Sequence, residues 1–310
     1  MKRRFALFCV LAATFAPCLM AAEKIKVLIV DGQNNHNWKQ TTPVLVNALE
    51  TAGCFTVTVS TSPEKKDPKA PPSAEKLEEL KAAWSAWHPK FGDYAVVVSN
   101  YNGEDWPEAL QKDFESYVKG GGGFVSVHAA DNSFGKWQAY NDMIGVGGWG
   151  GRNEKSGPWL YVQDGKPFKD ESPGNGGTHG KQHEFLVEIR NPNHPITRGL
   201  PMKWMHAQDE LYSKLRGPAE VEILSTSHSD TTDKDEPNLM VRNYGKGRVV
   251  HTTLGHADYS MLEHGFYLIL QRSAEWAATG EVKHTAELPK DFPTDKVVPI
   301  ALEGHVPPKK

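Results

Sequence analysis

The chain lacks most of the features that would declare its chemistry outright. It has 310 residues but only three cysteines. Cys9 and Cys18 fall in the N-terminal segment, so Cys54 would stand alone once that segment is removed, with no disulfide partner. Cys54 precedes an expected strand and has no turn to present it, so it reads as a small buried hydrophobe rather than a nucleophile. There is no phosphate-binding lysine loop, and the glycines do not follow the dinucleotide-binding spacing. No H-E-x-x-H pair marks a metal-binding helix. A formal net charge of -3 offers no electrostatic footprint for nucleic acid. The one long apolar run, residues 5–20, is short for a membrane span and is broken by Pro17. No internal repeat is visible.

That apolar run has another use. Lys2, Arg3 and Arg4 precede it, and Ala21-Ala22 follows it, the order of a secretory signal. Residues 1–22 are therefore expected to be a signal peptide and the mature protein to be secreted or periplasmic. Residues 23–280 then form one domain and 281–310 a proline-rich tail. The composition, 39% hydrophobic and 24% charged, is ordinary for a globular domain. The supply of polar aromatic groups is generous, with 13 His, 9 Trp and 9 Tyr.

Continuous apolar runs read as strands buried on both faces of a parallel sheet. Such runs occupy residues 25–30 (IKVLIV), 55–59, 94–99 and 124–127. Helical patterns alternate with them: 43–50 opening at Pro43, 74–87, and 107–119 opening at Pro107. Strand–helix alternation predicts a doubly wound, mostly parallel α/β sheet with helices on both faces. Residues 145–180 are glycine-rich and read as a long loop. Further strands are expected at 185–189, 221–225, 239–243 and 248–254, with a closing helix over 263–279.

The most informative stretch is residues 120–131, GGGGFVSVHAAD. Glycines end a helix, a short strand follows, and His128 arrives between small residues. Small neighbours permit a sharp turn that holds one side chain above the carboxyl edge of a sheet, where open α/β folds place ligands. Other strands empty at the same expected edge: the first into Asp31, Asn35, His36 and Trp38, the third into Asn100 and Tyr101, the fourth into His128 and Asp131, a late one into His256 and Asp258. His128, His256 and Asp258 are the candidate catalytic groups, since histidine beside a carboxylate suits proton transfer near neutral pH. Asp31, Asn35, His36, Trp38, Asn100, Tyr101, Asp131 and Glu210 are candidates for contacting substrate. Trp38, Trp149 and Trp159 are candidates for stacking on sugar rings or, equally, for anchoring loops.

A second group, His179, His183, Glu184, His194, His206, Asp209 and Glu210, lies in the less regular half. Histidine with carboxylate can hold a divalent, zinc-like metal, and His128, His183, Asp209 and His256 are the candidate ligands, with a metal-free acid–base pair as the alternative.

Five segments taken together, VLIVDGQNNHNW, GGGFVSVHAADNSF, HEFLVEIRNPNHPITRGLP, DELY and GRVVHTTLGHAD, resemble the ThuA-like (trehalose-utilisation) family within the class I glutamine amidotransferase-like superfamily. The resemblance runs from Val27 to Asp258. It implies a flavodoxin-like sheet and a small-molecule carbohydrate as partner, with keto-sugars or glycosides as the expected substrates. It also implies that His128 stands where amidotransferases carry their nucleophilic cysteine, so glutaminase activity is not expected. The alternative to a sugar-processing enzyme is a carbohydrate-binding protein without catalysis; a third reading is a structural partner in a surface complex.

Overall fold

The computed structural model describes residues 23–66, 69–70, 72–218, 220–285, 288, 292 and 294–305. The expected signal peptide lies outside the described residues. The first half alternates β1 (Ile25–Asp31), α1 (Trp38–Thr51), β2 (Phe55–Thr61), α2 (Ala74–Ala86), β3 (Val96–Ser99), α3 (Glu108–Gly120), β4 (Gly123–Val127) and α4 (Gln138–Ile144). The second half adds β5 (Trp159–Gln163), β6 (Lys166–Asp170), β7 (His183–Ile189), β8 (Lys203–Asp209), β9 (Glu222–Ser229), β10 (Lys234–Tyr244), β11 (Gly247–Thr252), α5 (Asp258–Met261) and α6 (His264–Thr279).

The strands form one sheet in the order β2-β1-β3-β4-β11-β10-β9-β7-β8, with the β5–β6 hairpin attached to β10. From β2 to β11 every pairing is parallel. Beyond β11 every pairing is antiparallel. The expectation of a mostly parallel sheet is therefore corrected: the sheet is mixed. The reason is local. Between β10 and β11 the chain reverses through Gly245, at φ 59, with no crossover helix, and a tight reversal can only join antiparallel neighbours.

In the parallel part, alternate side chains feed two apolar layers. Val27, Ile29, Val96, Val98, Val125 and Val127 pack with α1 and α6. Leu28, Val30, Val97, Phe124 and Val249 pack with α3 and α4 on the opposite face. Burial on both faces explains why these strands are continuously apolar rather than alternating. A Cβ on Gly123 would stand 2.6 Å from the Ala277 backbone, so the glycine lets α6 lie directly on β4.

Two expectations change in detail. The first helix begins at Trp38 and carries Pro43 inside it. The glycine-rich stretch contains β5 and β6, whose short runs (WLYVQ, KPFKD) are too polar at their ends to stand out. No helix among the described residues is long and apolar enough to cross a membrane.

The direction of the strands matters most for function. Antiparallel alternation across β11, β10, β9, β7 and β8 returns β8 to the direction of the parallel strands. The carboxyl ends of β1, β3, β4, β11 and β8 thus share one edge.

Candidate active site

His128 follows β4 immediately and opens a single 3-10 turn, residues 128–132, with φ at 45. A left-handed backbone is uncommon for a side-chain-bearing residue and is a stored strain of about 1–3 kcal/mol. It aims the ring back over the sheet edge. The Nδ1–H donates to the Thr253 carbonyl at 2.5 Å. A carbonyl can only accept, so Nδ1 carries a proton and Nε2 is the nitrogen that faces inward. That Nε2 is buried and has no hydrogen-bond partner.

His256 is held by a different device. Gly255 has φ 112, and a Cβ there would crowd the Met261 methyl at 2.9 Å. The turn presents the Gly255 and His256 N–H groups to the Asp209 carboxylate, at 2.7 and 3.0 Å. The His256 Nδ1 is buried without a hydrogen-bond partner, and its Nε2 lies 2.9 Å from the Gln182 amide. Glu210, the residue after β8, brings Oε2 to 3.1 Å from His256 Nδ1 and 3.7 Å from His128 Nε2. His36, from the loop after β1, closes the group. Its ring centroid is 5.0 Å from that of His128 and 4.4 Å from that of His256, and its Nε2 is 3.3 Å from the Tyr212 hydroxyl. One donor atom from each of His36, His128, Glu210 and His256 lies within 4.8 Å of the others.

The electrostatics follow from crowding. Burial, reinforced by His128 and His256, drives the His36 pKa down to about 3, so this ring is neutral. Burial opposes the charge of Glu210, but the two imidazoles outweigh it and hold the carboxyl well below its usual range. For His128, burial is likewise outweighed, here by Glu210 and Asp209, and the ring is raised.

Above the cluster lies a basin of about 430 Å³ lined by Asn35, His36, Asn102, Asn132, Trp149, Gly150, His179, Glu210 and Tyr212. This is within the range of small-molecule sites. A larger, mostly apolar cavity of about 650 Å³ between α5 and the tail has none of the cluster residues in its wall.

The candidate residues divide sharply. His128, His256, His36, Asn35 and Glu210 come together. Asp31 does not reach the basin: it is buried and accepts from the Thr61 hydroxyl on β2. Asn100 ties the β1 loop to Thr41 and Thr42. Tyr101 is core, its hydroxyl spent on the Glu104 carbonyl. Asp131 sits beneath the sheet edge against His251, at 3.2 Å. Trp38 packs beside Lys39 outside the basin. Asp258 faces the tail and pairs with His305 at 2.8 Å. His183 is exposed, with Nδ1 toward the Lys181 carbonyl. Asp209 is wholly buried behind the cluster, supporting it by hydrogen bonds rather than facing it. His183 and Asp209 thus lie outside the group whose donor atoms converge, which is His36, His128, Glu210 and His256. Asn102 and Asn132 were not singled out, each being a lone polar residue in a loop without a spacing signal; His179, from the second histidine group, and Tyr212, the end of the DELY segment, also line the basin.

Comparison with known proteins accords with this architecture. The family model described as "Trehalose utilisation" (ThuA) matches residues 26–277. The chain belongs to this family. A crystal structure of a ThuA-like protein from Parabacteroides merdae ATCC 43184 is 43% identical, with a TM-score of 0.81, covering 90% of this chain and 98% of that one. A second ThuA-like protein, from Bacteroides uniformis ATCC 8492, is 19% identical with a TM-score of 0.53, covering 85% and 95%, and shows a shared fold. No curated protein matches. Membership implies a role related to carbohydrate.

Proposed function

We propose that this ThuA-family chain is an enzyme that processes a sugar or glycoside, keto forms included, in the basin over the His36–His128–Glu210–His256 cluster. One observation carries the reading: two buried ring nitrogens, His128 Nε2 and His256 Nδ1, converge on the single Glu210 carboxylate, at 3.7 and 3.1 Å, on the floor of a polar basin. Imidazoles gathered on a carboxylate at the floor of a cavity are the arrangement that proton transfer to a bound substrate requires.

The basin suits hydroxylated rings. Asn35, Asn102 and Asn132 offer paired donors and acceptors. Trp149 and Tyr212, with ring centroids 4.6 Å apart, offer aromatic walls. The cluster would polarise a sugar oxygen and move its proton, with Glu210 as the anionic partner. The likeness to amidotransferases belongs to this proposal in a negative sense. His128 holds the presenting turn, and burial pushes the Cys54 thiol up to about 11, so no thiolate is ready for thioester chemistry. The order of charges and apolar residues at the N-terminus supports export.

The test is a product assay by NMR on purified protein with trehalose, simpler glucosides and their keto derivatives. Turnover of at least one, with no ammonia from glutamine, is the expected result. Binding without turnover would make the chain a carbohydrate-binding protein, and ammonia release would end the reading.

A further inference from the structure

We infer that the His36, His128, Glu210 and His256 cluster is a binding site for a single first-row divalent cation. The inference rests on the proposed function only in placing the reaction here; ion binding is read without any sugar.

The donor set is the first argument. Three imidazoles and one carboxylate converge, and among the described residues this is the group gathered within metal-ligating distance. Such a set suits zinc, iron, nickel or manganese over calcium or magnesium, which prefer all-oxygen shells. An ion with bonds of about 2.1 Å spans at most about 4.2 Å between opposed ligands. Donors that are not opposed stand closer, about 3.4 Å in a tetrahedral shell, so the present span of up to 4.8 Å needs a closure of about 0.5–1.5 Å, within reach of side-chain rotation.

The second argument is the surrounding shell. Metal-bound histidines usually donate their other N–H to a carbonyl or carboxylate, which fixes the tautomer. His128 does this: Nδ1–H goes to Thr253, and the buried Nε2 is the nitrogen that faces Glu210, free to ligate once its proton is displaced by the ion. His256 has its Nε2 against Gln182. Turning the Gln182 amide by half a rotation lets its oxygen accept from Nε2–H and frees Nδ1 for the ion; the Tyr259 hydroxyl, which donates to that oxygen at 2.6 Å, then accepts from the amide N–H instead, and the Gln208 amide beside it turns as well. Asp209 fixes the His256 backbone and, through the next residue, Glu210.

The third argument is access. His36 and Glu210 also line the basin, so one side of the site opens to it. A sugar oxygen could complete the coordination there, where a cation would polarise it.

The experiment uses the tag-free full chain, treated with chelator and dialysed. It is titrated calorimetrically with zinc, manganese, nickel and, without oxygen, ferrous iron. The expected result is one ion per chain for at least one metal, with a raised melting temperature. His128→Gln and Glu210→Gln should each weaken binding by at least about 100-fold, while His183→Gln, outside the cluster, leaves it unchanged. Should His128→Gln misfold by circular dichroism, His36→Gln on the loop takes its place. Absence of stoichiometric binding, or binding indifferent to these substitutions, overturns the inference. Sugar turnover undiminished after chelation would refute the metal and leave the enzyme reading standing. Stoichiometric metal without any turnover would do the reverse.

Discussion

Replacing Glu210 with glutamine is expected to lower kcat/KM by about 10²–10⁴-fold while moving the melting temperature by at most roughly 4 °C. Glu210 is the carboxylate that two inward-facing imidazole nitrogens share, at 3.1 and 3.7 Å. His179 also approaches it, at 3.9 Å. The amide preserves the shape and removes the charge, so the loss should appear in chemistry before it appears in folding. Steady-state kinetics beside a thermal melt checks this. An equal fall in both, or an active Gln variant, would show that Glu210 is merely packing.

The second large effect concerns His206, one layer behind. Its Nε2 lies 2.8 Å from Asp209 and its Nδ1 2.9 Å from Glu263, and all three side chains are fully buried. Both nitrogens face carboxylates, so both carry protons and the ring is an imidazolium. Burial opposes that charge, but the two carboxylates outweigh it and push the pKa up to about 9. Glu263 in turn accepts from the Gly265 and Phe266 N–H groups at the start of α6. Asp209 holds the Gly255–His256 turn. His206→Ala strips the cation from between two buried anions, which costs about 3–5 kcal/mol. A drop of roughly 10 °C in melting temperature should follow. The sign of the pH dependence is set by a raised pKa. The histidine's contribution is complete below about pH 6.5 and is lost as pH rises through about 9. Wild type and His206→Ala should therefore differ most near pH 6 and converge toward pH 10. Denaturant unfolding at several pH values measures this, and a pH-independent gap would contradict the assignment.

These two residues also show what the sequence could and could not say. The parallel half was legible because strands buried on both faces must be apolar throughout, as in IKVLIV. The presented histidine was legible because a left-handed turn tolerates only small neighbours, and Ala129 and Ala130 supply them. The antiparallel half was harder. β8, KWMHAQD, carries Lys, His, Gln and Asp because its inward polar groups satisfy one another; no hydrophobic pattern survives to mark it. Glu210 and His36 are brought together only by the strand order, which puts β8's end at the same edge as β1. Polar residues at strand ends misled in the other direction. Asp31, Asn100 and Asp131 sit at the right edge, yet each is spent on internal hydrogen bonds. Asp258 lies two residues from His256, but the short helix α5 turns it toward His305. His183 has an exposed side chain at the start of β7. Tertiary direction, not residue type, separated ligand from scaffold.

The most direct test of the central claim is a crystal structure of the protein with a bound substrate sugar, obtained with the inactive Glu210→Gln variant. The account predicts a sugar in the Asn35–Asn102–Trp149–Tyr212 basin, with one oxygen within about 3 Å of the His36 or His256 ring or of residue 210. A sugar seated instead in the apolar cavity by α5, with the histidine cluster untouched, would contradict it.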